Sequence, residues 1–148
     1  MKRFNYIVVV LVVTFFVGSS GCFGQVTGKL FTKKAANEKF GAVTNSVETP
    51  VKNLENWLNQ TDKYIMFKIV NNSVIVLNQG RHVIYPEDTK VDSSDVFTVY
   101  SKSVIEDLIS VGDTDSVSFE QRETVFTVTV GNVTMEVGGI CPPWCPDK

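Results

Sequence analysis

The stretch YIMFKIVNNSVIVLN, residues 64–78, decides the fold of this 148-residue chain. Its first half is apolar on both faces apart from Lys68, which is typical of a central strand. Asn71 and Asn72 tolerate positive φ and therefore predict a tight turn into a second strand. Strands joined in this way pair antiparallel, so this stretch predicts a β-meander whose first two strands are 64–70 and 73–78.

Further strands are predicted on both sides of this hairpin. A turn at Gln79-Gly80 and a stop at Pro86 bound the next strand. Gly131-Asn132 is a two-residue hairpin turn with glycine first, and it joins the last two predicted strands. The additional strands are 81–86, 96–100, 117–122, 124–130 and 133–137.

Two helices are predicted before the meander by their end signals. Thr32 is expected to cap a helix that runs through Phe40 and stops at Gly41. Thr49 is expected to cap the next helix, with Pro50 at its first position, where a missing N–H costs nothing. Apolar residues at helical spacing give this second helix one face that is suited to burial.

A further helix begins at Ser103, where S-V-I-E predicts a capping box with Glu106. The order of elements is then a helix and three strands, a linking strand, and again a helix and three strands. This is the order of a duplicated αβββ unit, although no residue-level repeat accompanies it. We therefore predict a single small α+β domain of antiparallel sheet with two to three short helices packed on one face.

The first residues predict export. Lys2 and Arg3 precede an unbroken apolar run at 6–17, and small residues follow as far as Cys22. This is the order of regions in a secretory signal, and the run is shorter than the ~20 residues of a membrane-spanning helix. We expect four segments: a signal peptide at 1–21, a tether at 22–31, the α+β domain at 32–140, and a clasp with a short tail at 141–148.

Gly21-Cys22 resembles the cleavage junction of bacterial exported lipoproteins, in which the cysteine becomes the lipidated first residue. The resemblance covers only the signal segment, and Ser19 stands where that pattern usually has leucine. It implies a chain that is anchored through a lipid at Cys22 and that faces the periplasm or the cell surface. The alternative is cleavage by an ordinary signal peptidase after Gly24, which gives a freely secreted protein.

The stretch CPPWC, residues 141–145, holds the two remaining cysteines. Acylation or removal of Cys22 leaves Cys141 and Cys145 as one pair, which predicts a disulfide in an exported chain. The prolines permit the bend that brings the two Cα atoms within the ~4.4–6.8 Å that a disulfide requires. Three residues intervene, rather than the two of thioredoxin-like pairs, and Pro146 follows, so we expect a structural bond, with redox activity as the alternative.

No other group of residues predicts chemistry. His82 is the only histidine and lies in a predicted strand, so a zinc site lacks ligands. The acidic stretch Asp113-Thr114-Asp115 lacks the spacing and the glycine of a calcium loop. We expect Arg81 and Arg122 to face water. Hydrolase, phosphate-loop and metalloprotease motifs are missing, so no catalytic residue, metal site or cofactor is predicted.

The net charge and the predicted export together limit the classes of partner that the protein is expected to bind. Loss of Lys2 and Arg3 with the signal lowers the 14 basic residues to 12, against 16 acidic ones, which makes nucleic acid a poor partner. Membrane contact is expected only through a lipid at Cys22. We therefore expect an exported, non-enzymatic module that binds an unidentified envelope or extracellular protein. The alternatives are a thiol–disulfide redox participant acting through Cys141 and Cys145, and a secreted inhibitor-like module.

Overall fold

The computed structural model describes residues 26–146 of the chain. The predicted signal peptide, the junction at Cys22 and the last two residues lie outside the described residues. Strands and helices follow one another in this order: β1 (Lys29–Thr32), α1 (Lys33–Phe40), β2 (Val43–Pro50), α2 (Val51–Leu58), β3 (Tyr64–Val70), β4 (Ser73–Asn78), β5 (Val83–Tyr85), β6 (Phe97–Ser101), α3 (Lys102–Val111), β7 (Ser116–Arg122), β8 (Phe126–Val130), β9 (Val133–Glu136) and β10 (Gly139–Cys141).

The strands form two antiparallel sheets, and the predicted α+β class is confirmed. Sheet A has the order β1-β9-β8-β7-β2, and sheet B has the order β10-β6-β3-β4-β5. The strands that follow α2 build the meander of sheet B, whereas those that follow α3 build the meander of sheet A. The strand before α2 is β2, which pairs with β7 of sheet A, and the strand before α3 is β6, which pairs with β3 of sheet B. Each of these two strands therefore lies in the sheet that the strands after its own helix do not build. The two αβββ segments thus exchange a strand, and the result is one domain.

Equivalent positions of the two segments hold core residues of similar character. In the helices these are Leu54, Trp57 and Leu58 of α2 and Ile105, Leu108 and Ile109 of α3; in the strands they are Ile65 and Phe67 of β3 and Val117 and Phe119 of β7. Phe67 and Phe119 are the one pair of equivalent positions in these sets that has the same residue type. The duplication is therefore visible in the spacing and burial of the core residues. It is not visible in their identity, because the residue types at equivalent positions mostly differ.

An aromatic cluster fills the space between the inner faces of the two sheets. The ring centroids of Phe67 and Phe119 lie 5.0 Å apart, and Phe126 lies within 6.4 Å of both. Tyr100 of sheet B donates its hydroxyl to the carbonyl oxygen of Phe126 in sheet A at 2.6 Å. Burial raises the pKa of this tyrosine well above its usual value. The hydrogen bond therefore joins the two sheets with a neutral phenol.

The outer face of sheet A carries a buried polar network beneath α1. Arg122 is 1% exposed and donates to the carboxylate of Glu120 at 2.9 Å. The same guanidinium donates to Asn37 of α1 at 2.9 Å and to the carbonyl oxygen of Gly41 just after the helix. Thr127 also donates to Glu120, at 3.0 Å. The prediction that Arg122 faces water is wrong, because α1 covers the face on which it lies.

Three edge strands were not predicted from the sequence. Lys29–Thr32 pairs with Val133–Glu136, so the predicted tether at 22–31 is wrong for its last residues. Val43–Pro50 pairs along its whole length with β7, although it is mostly polar. Gly139–Cys141 is a three-residue strand that pairs with β6. Short or polar strands of this kind are defined by their hydrogen-bonding partner rather than by their own apolar pattern.

The helix starts test the predicted caps. Thr32 accepts a hydrogen bond from the backbone N–H of Ala35 at 3.2 Å, as predicted. Thr49 instead lies within β2, whose last residue Pro50 is the N-cap of α2, and the hydroxyl oxygen of Thr49 accepts from the side chain of Asn53 at 2.7 Å. The predicted capping box at Ser103 is also wrong, because α3 begins at Lys102 and its N-cap is Ser101, two residues before Ser103.

The buried ion pair of sheet A generates a stability prediction. Replacing Arg122→Met leaves the carboxylate of Glu120 buried without its cation, so we expect the free energy of unfolding to fall by about 3–5 kcal/mol. Urea unfolding followed by circular dichroism measures this. The double change Arg122→Met with Glu120→Gln should recover part of the loss, because no charge then remains buried.

The matched control is Lys68→Met, which breaks the half-exposed Lys68–Asp95 pair of sheet B. An exposed pair contributes about 1 kcal/mol or less, so the control should cost far less than Arg122→Met. Equal losses in the two variants would contradict a special role for the buried pair.

Candidate functional site

The outer face of sheet B holds a second, smaller core. Its buried members are Met66, Leu77, Phe97, Val99 and Cys141, and the partly buried residues packed on them are Tyr64, Ile75, Val83, Val91 and Trp144. Val91 belongs to the loop between β5 and β6, and Trp144 belongs to the clasp, of which the structure describes residues 141–146. These two segments therefore close over the face of sheet B that points away from the main core.

The clasp contains the disulfide that the sequence predicts. Cys141 and Cys145 are bonded, with their Cα atoms 4.7 Å apart. Cys141 ends β10 opposite Phe97 and is wholly buried, whereas Cys145 is exposed. The bends that bring the two cysteines together lie at Pro142 and Pro143, which both follow cis peptide bonds. The two sulfur atoms of one bond thus belong to residues in different environments.

Trp144 fixes the clasp to sheet B. Its ring meets the ring of Tyr64 edge to face, with centroids 5.7 Å apart, and its backbone N–H donates to the carbonyl oxygen of Ile140 at 3.0 Å. A Cβ atom on Gly139 would lie only 2.6 Å from the indole, so glycine is required for this approach. The tryptophan therefore anchors the clasp, while the exposed cysteine remains at its outer side.

Arg81 lies against the disulfide from the turn after β4. Its Nη1 atom is 3.1 Å from the Sγ atom of Cys141, and its Nη2 atom donates to the carbonyl oxygens of Asp92 and Asp95 at 2.9 and 3.1 Å. The guanidinium carbon is 5.4 Å from the centre of the Phe97 ring. The prediction that Arg81 faces water is wrong. It joins the loop before β6 to the clasp.

A second cation completes the surroundings of Phe97. The Nζ atom of Lys68 is 5.6 Å from the centre of that ring and 2.6 Å from the carboxylate of Asp95. The hydrogen bond from Lys68, followed by one from the backbone of Asp92, lowers the pKa of Asp95 below its ordinary value. The carboxylate of Asp95 is thus bound by Lys68, while Arg81 donates to carbonyl oxygens and to sulfur.

This arrangement has one chemical capability. A guanidinium close to a cysteine sulfur stabilises the thiolate form of that cysteine. If the disulfide opens, Arg81 is therefore positioned to offset the cost of a negative charge on the buried sulfur of Cys141. The sequence identifies both cysteines but not Arg81, which is 60 residues from Cys141 along the chain. The only local sign is that Arg81 follows Gly80 in a predicted turn.

The remaining candidate residues stay apart from this site. His82 is exposed, and its backbone N–H donates to the side chain of Asn78 at 3.0 Å. Among residues 26–146, no three side chains of histidine, cysteine, aspartate or glutamate lie together as a group that could hold a metal ion. Cys22, the lipidation candidate, lies outside the described residues.

None of the helices formed by residues 26–146 is long and apolar enough to cross a membrane. Comparisons with known protein families, with curated proteins and with solved structures found no match for this chain.

The disulfide generates a second stability prediction. Cys145→Ser removes the bond at its exposed end, and the short closed loop predicts a loss of about 2 kcal/mol in the free energy of unfolding. Urea unfolding of the variant and of the wild-type protein, with and without dithiothreitol, measures this.

The reduced wild-type protein is the control, because it lacks the same bond but keeps both cysteines. It should match Cys145→Ser, and dithiothreitol should leave the variant unchanged. A variant as stable as the oxidised wild-type protein would contradict a stabilising clasp.

Proposed function

We propose that the protein works outside the cytoplasm as a small, non-enzymatic binding module that is anchored through a lipid at Cys22. The closed disulfide of the clasp is the observation that carries this proposal. Disulfides persist in oxidising compartments and are rare in the cytosol. The signal-like segment at 1–21 and the lipoprotein-like junction support the same location, at the periplasmic or outer surface of a bacterial envelope.

The pairing of these charged groups supports a binding role over a catalytic one. The buried Glu120 and Arg122 bind each other, Arg122 also donates to Asn37 of α1, and the partly exposed carboxylate of Asp95 is bound by Lys68. These contacts hold elements of the fold together. The protein would then act through its surface on an envelope or extracellular protein, with the clasp keeping one side of that surface rigid.

Intact mass of the protein, extracted from its host envelope in mild detergent, tests the location. We expect a chain that begins at Cys22, carries acyl groups on that residue, and is lighter by two hydrogen atoms because of the closed disulfide. Stable attachment requires more than one acyl chain, so several should be found. Full-length, reduced protein in the cytosol would contradict the proposal.

Cys22→Ser is the matched control for that measurement. It removes the acylated residue without touching the described domain, so the protein should leave the membrane fraction and keep its disulfide. The same detergent extract tests binding: a partner should co-purify with the lipidated protein after cross-linking in intact cells. If the tagged protein brings down no partner above the level found in an untagged strain, the result would count against a binding module.

A second function, thiol–disulfide exchange through Cys141 and Cys145, is favoured by one specific observation. Nη1 of Arg81 lies 3.1 Å from the Sγ atom of Cys141, while Cys145 is exposed. A buried, purely structural bond needs neither an exposed cysteine nor a neighbouring cation. Both features are typical of cysteine pairs that exchange with other thiols.

The reduction potential of the pair separates the two functions. Equilibration with mixtures of reduced and oxidised dithiothreitol or glutathione, followed by alkylation and mass measurement, gives its value. We expect a potential near −200 mV or higher if the pair exchanges, and one below about −300 mV if the bond is only structural. Arg81→Met should lower the potential, because the reduced form loses its stabilising charge, and an unchanged value would contradict the role of Arg81.

A further inference from the structure

We propose that the exchange has a fixed direction: a small-molecule thiol attacks the sulfur of Cys145, and Cys141 leaves as a thiolate beside Arg81. Cys145 is thereby the site of a reversible mixed disulfide. This inference rests on the exchange function proposed above and adds the order of events and the residue that determines it. The attack at Cys145 and the departure of Cys141 both involve only residues that the structure describes.

Access determines which sulfur is attacked. Thiol–disulfide exchange requires the incoming thiolate to reach one sulfur of the bond. Cys141 is wholly buried among Met66, Phe97 and Val99, so a thiol from solvent would have to displace the second core. Cys145 is exposed and can be reached without such a change.

The position of Arg81 determines which sulfur leaves. A leaving thiolate departs faster when its negative charge is stabilised. The guanidinium carries a permanent positive charge, and its Nη1 atom already lies 3.1 Å from the Sγ atom of Cys141. Its position is fixed by the carbonyl oxygens of Asp92 and Asp95, so no rearrangement is needed when the charge develops. Access and charge therefore favour the same direction.

The atoms and electrons balance in this step. The thiolate of a small thiol donates its electron pair to the sulfur of Cys145, and a new S–S bond forms. The Cys141–Cys145 bond breaks, and its electron pair goes to the sulfur of Cys141. The sulfur of the small thiol is oxidised and that of Cys141 is reduced. A second thiol molecule completes reduction by attacking the mixed disulfide and releasing Cys145.

The loss of the bond frees the clasp from one of its attachments. Trp144 still packs edge to face on the ring of Tyr64, and its backbone N–H still donates to the carbonyl oxygen of Ile140. The mixed disulfide on Cys145 lies at the outer side of the clasp, where an added group meets solvent rather than the second core. The modification is therefore compatible with a folded domain.

The direction is tested with 2-mercaptoethanol on the folded, oxidised protein. The reaction is quenched with acid at early times, and the position of the adduct is read by peptide fragmentation in the mass spectrometer. We expect the adduct on Cys145 in about tenfold excess over Cys141. The same reaction in concentrated urea is the control, and there the two positions should become nearly equal.

Variants test the contribution of Arg81. Arg81→Met should slow the first opening of the disulfide about tenfold, and Arg81→Lys should restore most of the rate because it keeps the charge. Lys68→Met is the matched control, because Lys68 also lies over the ring of Phe97 but bonds to Asp95 rather than to sulfur. The opening rate of this variant should stay within about twofold of the wild-type rate. Circular dichroism verifies that each variant is folded.

Three outcomes would overturn the inference: an adduct mainly on Cys141, equal adducts in the folded protein, or an equal loss of rate in Arg81→Met and Lys68→Met. These results differ from a failure of the exchange function. A reduction potential below about −300 mV would remove the cellular function, yet the position of the adduct could still be measured at higher thiol concentration.

Discussion

The contact between Phe67 and Phe119, with ring centroids 5.0 Å apart, is the interaction on which the rest of the structure depends. The two residues occupy equivalent positions, each on the first strand of a meander that follows a helix. Because β2 and β6 pair with the meander of the opposite segment, neither segment can form its sheet or bury its phenylalanine alone. Folding should therefore be cooperative across the whole domain, and the linking strand is not a domain boundary.

The inner core also determines which side chains of each strand lie on the outer faces of the sheets. Side chains alternate along each strand, so once Phe67 points inward its neighbours Met66 and Lys68 point outward. Sheet A buries its outer face beneath α1 by means of a polar network. Among residues 26–146, no helix covers the corresponding apolar side of sheet B, and the loop before β6 and the clasp cover it instead. The disulfide belongs to that cover, which explains why Cys141 is as buried as any core residue.

The sequence predicts those elements whose signals are local. Strands 64–70 and 73–78 agree with the structure to the residue, because the apolar run and the Asn71-Asn72 turn are both contained in the stretch itself. Edge strands β1, β2 and β10 are missed, since they are short or polar and exist because a neighbour pairs with them. Arg81 is missed for a related reason. Its partner sulfur is 60 residues away, and only the three-dimensional arrangement brings them together. The disulfide itself is predictable because its two cysteines are close in sequence.

In this arrangement, the same disulfide could both stabilise the clasp and exchange with small thiols. After attack at Cys145, the thiolate of Cys141 remains next to the mixed disulfide and can expel the small thiol at once, because the two sulfurs are held at high effective concentration. The open state lasts only if the clasp moves away from β10. That movement requires Trp144 to leave Tyr64 and Gly139, so packing controls how long the bond stays open. In the proposed exchange, Arg81 would stabilise the thiolate once it has formed, and the indole of Trp144 would determine whether the bond closes again.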